Sequence, residues 1–163
     1  MNRCRTRSRR GFTLVESIIV VVVVALLVPP SVSMLREAQV ARVDSANAVR
    51  ATVLCGAVLE QVLADASSSA PSLGMSAFSN SAAYLDTPTT GLKARLSPVT
   101  STYSTLGVSW SLAIGSPVAA SGVADANAAL NIYRAVTVIA TWNSGRVGTQ
   151  TYAVTTLVTD LTP

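Results

Sequence analysis

One acidic side chain interrupts the most apolar stretch of this chain. Residues 12–35 contain Glu16 as their only charged group. A charge inside a membrane helix costs about 2.5 to 3.5 kcal/mol on insertion scales, so its presence needs a reason. One explanation places Glu16 at the membrane interface, where it is solvated and has no role. The other gives it a cationic partner in an apolar environment, because an unpaired buried charge is strongly unfavourable.

The residues before this stretch are basic and end in a glycine. The opening MNRCRTRSRRG holds five arginines, and Arg9 and Arg10 stand directly before Gly11. Arginines that flank an apolar span stay in the cytoplasm, so this pair sets the orientation of the chain. Gly11 has no side chain, which lets an extended backbone approach a protease closely. A plainer interpretation of Gly11 is an ordinary flexible junction.

The apolar stretch itself has the length of a membrane span. As a helix, residues 12–35 measure about 36 Å, enough for a hydrocarbon core of about 30 Å. Its many valines favour strand in water, but a lone segment in lipid satisfies its backbone only as a helix. Pro29 and Pro30 each remove a backbone donor, so we expect a kink or local melting there.

The residues RRGFTLVES resemble the class III signal sequence of type IV pilins and type II secretion pseudopilins. The resemblance implies that a prepilin peptidase cuts after Gly11 on the cytoplasmic face. It makes Phe12 the mature N-terminal residue, which is N-methylated, and Glu16 the fifth mature residue, a glutamate throughout the family. The three residues between Phe12 and Glu16 also match the family pattern.

This resemblance supplies the missing cation for Glu16. Cleavage before Phe12 creates an α-amino group, and a methylated amine is still charged. We therefore expect the Glu16 carboxylate of one subunit to meet the amine of a neighbour, which would fix their register. The implied partners are the prepilin peptidase/N-methyltransferase, other pilins or pseudopilins in a filament, and the inner-membrane assembly platform. No cofactor is implied.

Residues 36–66 have the pattern of an amphipathic helix. Apolar residues recur there at three- and four-residue spacing, which places them on one face. The predicted stripe consists of Val40, Val43, Asn47, Ala51, Leu54, Val58 and Val62, and it is widened by Val53, Leu59 and Leu63. The predicted wetter positions are Arg36, Glu37, Asp44, Arg50, Glu60 and Asp65. We expect 12–35 and 36–66 to form one long helix.

The rest of the chain predicts a small sheet. Residues 67–105 are rich in Ser, Thr, Ala and Pro and are predicted as loop, with one short element near 82–85. Alternating apolar residues predict strands at 106–114, 132–142 and 149–159, the last two forming a hairpin. Residues 115–131 are predicted as loop or a short helix. The expected fold class is α+β, a long N-terminal helix packed on a small antiparallel sheet.

These predictions divide the chain into four parts: a leader at 1–11 that is removed, a transmembrane and assembly half-helix at 12–35, an amphipathic half-helix at 36–66, and an extracytoplasmic head at 67–163. The expected location is the bacterial inner membrane, single-pass with the N-terminus in the cytoplasm, and then the filament. The final hairpin resembles that of I-type minor pseudopilins and PilV-like minor pilins. The C-terminal cysteine pair of many major pilins is absent, which suits a pseudopilin or a minor subunit. The Pro29-Pro30 pair departs from the usual family position.

Composition narrows the competing functions. The chain has no histidine, which removes histidine bases, Ser-His-Asp triads and His-ligated zinc, so an enzyme is not predicted. Its net charge of +4 comes from the leader, so nucleic-acid binding is not implied. Asp125, Asn127 and Asn131 could line a loop cation site but match no calcium-loop spacing. Cys55 is predicted as a small buried residue. The alternative function is a pilus-tip binding module for adhesion or DNA uptake on the same anchor.

Overall fold

The structure is a computed structural model that describes residues 13–159. It contains helices α1 (Leu14–Ala66), α2 (Ser81–Asp86) and α3 (Leu92–Thr105), strands β1 (Val108–Val118), β2 (Tyr133–Ser144) and β3 (Gly148–Thr159), and 3-10 turns at Met75–Ser79 and Ala128–Leu130. The chain divides into two compact units, an N-terminal unit (Met1–Ala41) and a head unit (Arg42–Pro163).

Helix α1 continues through the Pro29-Pro30 pair. Two serines that follow add hydrogen bonds to backbone carbonyls there: Ser31 Oγ donates to Leu27 O and Ser33 Oγ donates to Pro30 O, both at 2.8 Å. These bonds add to the helix beside the prolines and do not replace the missing ones, because the carbonyls that Pro29 and Pro30 leave without a donor are those of Ala25 and Leu26. The helix is unbroken across the pair all the same. The predicted local melting is therefore wrong, while the kink stays a prediction.

The three strands form one antiparallel sheet with β2 in the centre. The sheet and the final hairpin were both predicted, and the α+β class is confirmed. Strand β1 extends to Val118, so the loop predicted from residue 115 onward begins too early. The register shifts between Ile114 and Pro117, and this irregularity lets a proline, which has no backbone donor, remain at the end of the strand.

The core of the head unit lies between the rear of α1 and the inner face of the sheet. The α1 residues buried there are Asn47, Ala51, Leu54, Cys55, Val58, Val62 and Asp65. They face a row on β2 that is also buried, Val136, Val138, Ala140 and Trp142. The predicted stripe is thus confirmed from Asn47 to Val62. It is wrong at Val43 and Val53, which are 57% and 54% exposed, and Leu63 is exposed as well.

The segment predicted as loop contains more helix than expected. Helix α2 confirms the short element near 82–85, but α3 was not predicted. Its sequence is rich in Ser and Thr and includes Pro98, which weakens any helical pattern. Packing stabilises it instead, because Leu92 and Leu96 are buried in the core of the head unit.

Candidate functional site

Glu16 lies in the first turn of α1. Its backbone N–H donates to Thr13 Oγ1 at 3.3 Å, and Thr13 directly precedes the helix. A threonine followed three residues later by a glutamate is the capping-box pattern that starts helices. A carboxylate in the first turn is also stabilised by the helix dipole. Thr13 therefore caps the start of α1, and Glu16 occupies the acid position of a capping box, which the T-x-x-E spacing already signalled and the sequence interpretation missed.

Beyond its polar neighbours Thr13 and Ser17, Glu16 is followed by an apolar surface. Large hydrophobic side chains from Leu14 to Leu35 are exposed, among them Val21 at 67% and Leu26 at 70%. The helix is long and apolar enough to cross a membrane. Within residues 13–159, no lysine or arginine forms an ion pair with Glu16.

The remaining predicted site residues cannot be placed in this geometry. Arg9, Arg10, Gly11 and Phe12 lie outside the described residues. Of the predicted site residues, the structure thus describes Glu16 alone, at the start of the exposed apolar helix and next to Thr13. Processing after Gly11 and methylation of Phe12 stay predictions.

A second polar cluster lies in the head unit, at the end of α1. Asp65 is only 2% exposed. Arg95 of α3 donates to both of its carboxylate oxygens, at 2.8 and 2.5 Å, the Tyr84 hydroxyl donates at 2.6 Å and Gln61 Nε2 at 2.9 Å. The prediction of a wet position for Asp65 is wrong, because its partners come from α2 and α3, and α3 was not predicted.

These contacts perturb the protonation of the whole cluster. Burial raises the pKa of the Asp65 carboxyl, but hydrogen bonds from Arg95, Tyr84 and Gln61 outweigh burial and hold the pKa below its usual value. Burial and the Asp65 carboxylate raise the pKa of Tyr84. The hydrogen bond to Asp65 raises the pKa of Arg95. At neutral pH the cluster is a charged Asp–Arg pair with a neutral tyrosine.

A surface cleft of about 530 Å³ lies beside this cluster, and both Tyr84 and Arg95 line it. Most of its other lining residues are small or carry hydroxyls, including Ser72, Ser76 and Thr90. Because Arg95 is paired with Asp65, its charge is largely neutralised on this surface. The cleft therefore lacks the basic or aromatic patch that would favour a tip module that binds DNA.

Side chains of the loop between β1 and β2 form hydrogen bonds with the backbone of the same loop. Asn131 Oδ1 accepts the backbone N–H of Asp125 at 2.7 Å, and Asp125 Oδ1 accepts that of Asn127 at 2.8 Å. Asn131 Nδ2 donates to Asp125 O at 2.9 Å. Side-chain oxygens of this loop thus serve its own backbone, which accounts for its Asp and Asn content without a cation.

The remaining candidate, Cys55, is a core residue. It is fully buried, and burial raises the pKa of its thiol. Its Sγ lies 4.0 Å from the carbonyl oxygens of Val138 and Tyr152. The prediction of a small buried side chain is confirmed.

The geometry defines a class of protein: an α+β head unit that follows an apolar helix able to cross a membrane, with one acid in the first turn of that helix. Residues 6–28 match the model of the prokaryotic N-terminal methylation motif. This match supports a type IV pilin-like protein that is processed by a prepilin peptidase and assembles with other pilins. It indicates a structural subunit rather than an enzyme. The apolar helix fits an inner-membrane-anchored pilin. No curated protein and no solved structure matches the chain.

Proposed function

We propose that this chain is a minor pilin or pseudopilin, a structural subunit of a type IV pilus or of a type II secretion pseudopilus. One observation carries the proposal: the methylation motif at 6–28 coincides with an uncovered apolar helix whose first turn holds Glu16. The form of the final hairpin, which resembles that of I-type minor pseudopilins and PilV-like minor pilins, supports the proposal.

Maturation removes residues 1–11. The arginines before Gly11 hold the junction in the cytoplasm, the peptidase cuts after Gly11, and Phe12 becomes the N-methylated mature N-terminus. The head is then extracytoplasmic. The apolar helix first packs against lipid and, in the filament, against helices of neighbouring subunits.

The charge of Glu16 is needed for assembly and not for helix capping. Glutamine serves the T-x-x-E position of a capping box as well as glutamate does. A role in capping alone therefore tolerates loss of the charge. A carboxylate that pairs with the Phe12 amine of a neighbour in the filament does not, because the amine would be left buried and unpaired.

The test is to compare Glu16→Gln with Glu16→Ala. Glu37→Gln is the matched control, because Glu37 is an exposed acid on the same helix, beyond the apolar segment. We expect all three variants to insert and to be cut after Gly11, but only Glu37→Gln to enter filaments at the normal level. Normal entry of Glu16→Gln would refute the pairing and leave capping as the role of Glu16.

A deletion strain separates the two kinds of filament. Loss of protein secretion with intact pili supports a pseudopilus subunit. Loss of the pili themselves, together with loss of twitching motility or transformation and with intact secretion, supports a pilus subunit. Loss of adhesion or DNA uptake alone, with both filaments assembled, supports the tip module instead.

A further inference from the structure

The two edges of the sheet differ in how they are protected. An edge strand presents unpaired backbone N–H and C=O groups, and natural proteins block such edges with prolines, bulges, charges or covering elements. Strands β1 and β3 are the edges here, since β2 lies between them.

Strand β1 is blocked at both ends. Its first residues, Val108 to Trp110, line a cleft with α3 residues that include Ser101 and Ser104. Its last residues carry the register shift and Pro117. Little regular backbone is left between these features for another strand to pair with.

Strand β3 has none of these devices. It pairs with β2 in unbroken register over twelve residue pairs, from Ser144↔Gly148 to Tyr133↔Thr159. Its sequence, GTQTYAVTTLVT, contains no charge and no proline. Within residues 13–159, its backbone forms no hydrogen bond to another backbone outside the sheet. The side-chain contacts to it are those of Cys55 Sγ with Tyr152 O at 4.0 Å and of Gln150 Nε2 with Thr149 O at 3.4 Å. Only Leu157, Val158 and Thr159 line a cleft with the loop that follows α1, so residues 149–156 form an open edge.

We propose that this open edge of β3 (residues 149–156) accepts a strand from a different subunit of the same assembly, which extends the sheet by β-augmentation. The inference rests on the proposed function as a filament subunit. The partner strand is uncharged, because β3 offers no charge to pair with a charged one. Hydroxyl pairs suit this sheet, as Thr137–Thr155 at 2.9 Å and Ser109–Thr141 at 2.7 Å already show.

A second copy of this chain is the poorer partner. Neighbouring copies in a filament are related by a screw operation, which excludes two-fold pairing of β3 with β3 and sets β3 of one copy against β1 of the next. That edge is interrupted by Pro117 and flanked by α3. A chain with an uninterrupted edge strand meets the requirement better.

The test uses a matched pair of positions, Ala153 and Ser111. Both are exposed, and both lie opposite Ile139, one on each edge of the sheet. A photo-reactive phenylalanine is placed at either position in the full chain, in membranes of cells that make the complete assembly. Adducts are identified by mass spectrometry. The same positions then receive lysine, Ala153→Lys and Ser111→Lys, and entry into filaments is measured.

We expect an adduct from position 153 to an uncharged strand of another pilin-like chain and none from 111. Ala153→Lys should reduce filament entry about tenfold, since charge on an edge opposes pairing, whereas Ser111→Lys should not. No adduct at 153, equal adducts at both positions, adducts to lipid, or adducts to a second copy each overturn the proposal.

Processing after Gly11 is measured in the same samples. A processed chain that enters filaments without an adduct at 153 sinks only this inference, whereas an unprocessed chain sinks the proposed function.

Discussion

The two units of this chain differ in whether their apolar side chains are buried and their acids are paired. The N-terminal unit leaves its apolar residues uncovered and its one acid within the apolar segment, Glu16, without an ion pair among residues 13–159. The head unit buries a continuous apolar core and surrounds its buried acid, Asp65, with four hydrogen bonds. The head pairs its buried acid within the same chain, whereas in our proposal the apolar surface and the acid of the N-terminal unit are covered by lipid or by other subunits.

The two acids make this contrast concrete. Asp65 is held by Arg95 and Tyr84 from the same chain, so its charge stabilises one fold. In our proposal, Glu16 pairs with the Phe12 amine of a neighbouring subunit, a group that exists only after processing. The same chemistry, a carboxylate with a cation in an apolar environment, therefore supports folding in one unit and assembly in the other.

The largest expected effect is on the head cluster. Arg95→Met leaves Asp65 buried without its cation, and removing one partner of a buried ion pair costs about 3 to 5 kcal/mol. The free energy of unfolding can be measured by urea denaturation of the detergent-solubilised chain. Tryptophan fluorescence reports the head alone, since Trp110 and Trp142 both lie in its sheet. Lys93→Met is the control, because its ion pair with Asp86 is exposed and should contribute little. Equal losses in the two variants would contradict the account.

The next largest effect is expected from a lysine placed on the apolar surface, which should have different consequences in the two units. Val22 and Val53 are valines of the same helix with similar exposure, 51% and 54%. Val22→Lys should impair membrane insertion, at a cost of about 2.5 to 3.5 kcal/mol on insertion scales. Val53→Lys should change the stability of the head by less than about 0.5 kcal/mol. Carbonate extraction of membranes measures the first effect and urea unfolding the second. Full membrane retention of Val22→Lys would mean that the apolar surface is not the anchor.

Two glycines provide a smaller contrast within the head. A Cβ on Gly91 would lie 2.6 Å from Thr87 O and 2.7 Å from Leu85 O, both backbone atoms that cannot swing away. Gly91→Ala should therefore cost about 1 to 3 kcal/mol through overpacking at the start of α3. A Cβ on Gly56, in the middle of α1, meets nothing within 4 Å. Gly56→Ala should stabilise the head by about 0.5 to 1 kcal/mol. Destabilisation by both changes would mean that the outer face of α1 is covered.

The stability of the head unit should fall gradually as the pH is lowered. The pKa of Asp65 is lower in the folded head than in the unfolded chain, where a value of about 3.9 is usual. Its contribution is therefore complete above about pH 4 and is lost as the pH falls through the depressed folded pKa. Thermal unfolding followed from pH 7 downward should show this acid limb in the native chain and a shallower one in Asp65→Asn. An identical limb in both would assign the acid sensitivity to other carboxylates.

Local patterns predicted the elements that local forces determine. The alternation in LGVSWSLAI and VTVIATW predicted strands, because one face of each is buried, and the apolar run predicted a membrane-length helix. The stripe on α1 was found from Asn47 to Val62 for the same reason. Each of these features repeats within a few residues, so the sequence alone contains it.

The burial of Asp65 could not be predicted from local sequence patterns. An acid on an amphipathic helix resembles a solvated position, and its cation lies 30 residues away in sequence, on α3. Helix α3 in turn has little helical pattern of its own and is held by the packing of Leu92 and Leu96. A contact that depends on two distant elements leaves no local signature. The capping of α1 by Thr13, by contrast, was readable from the T-x-x-E spacing.

The most direct test of the central claim is the intact mass of the membrane form, purified from cells that contain a prepilin peptidase. The account predicts a chain that begins at Phe12, lacks residues 1–11 and carries one additional methyl group at its N-terminus. A chain that still carries Met1 to Gly11 would contradict it, because Phe12 N would then be part of a peptide bond and could not be the amine that pairs with Glu16.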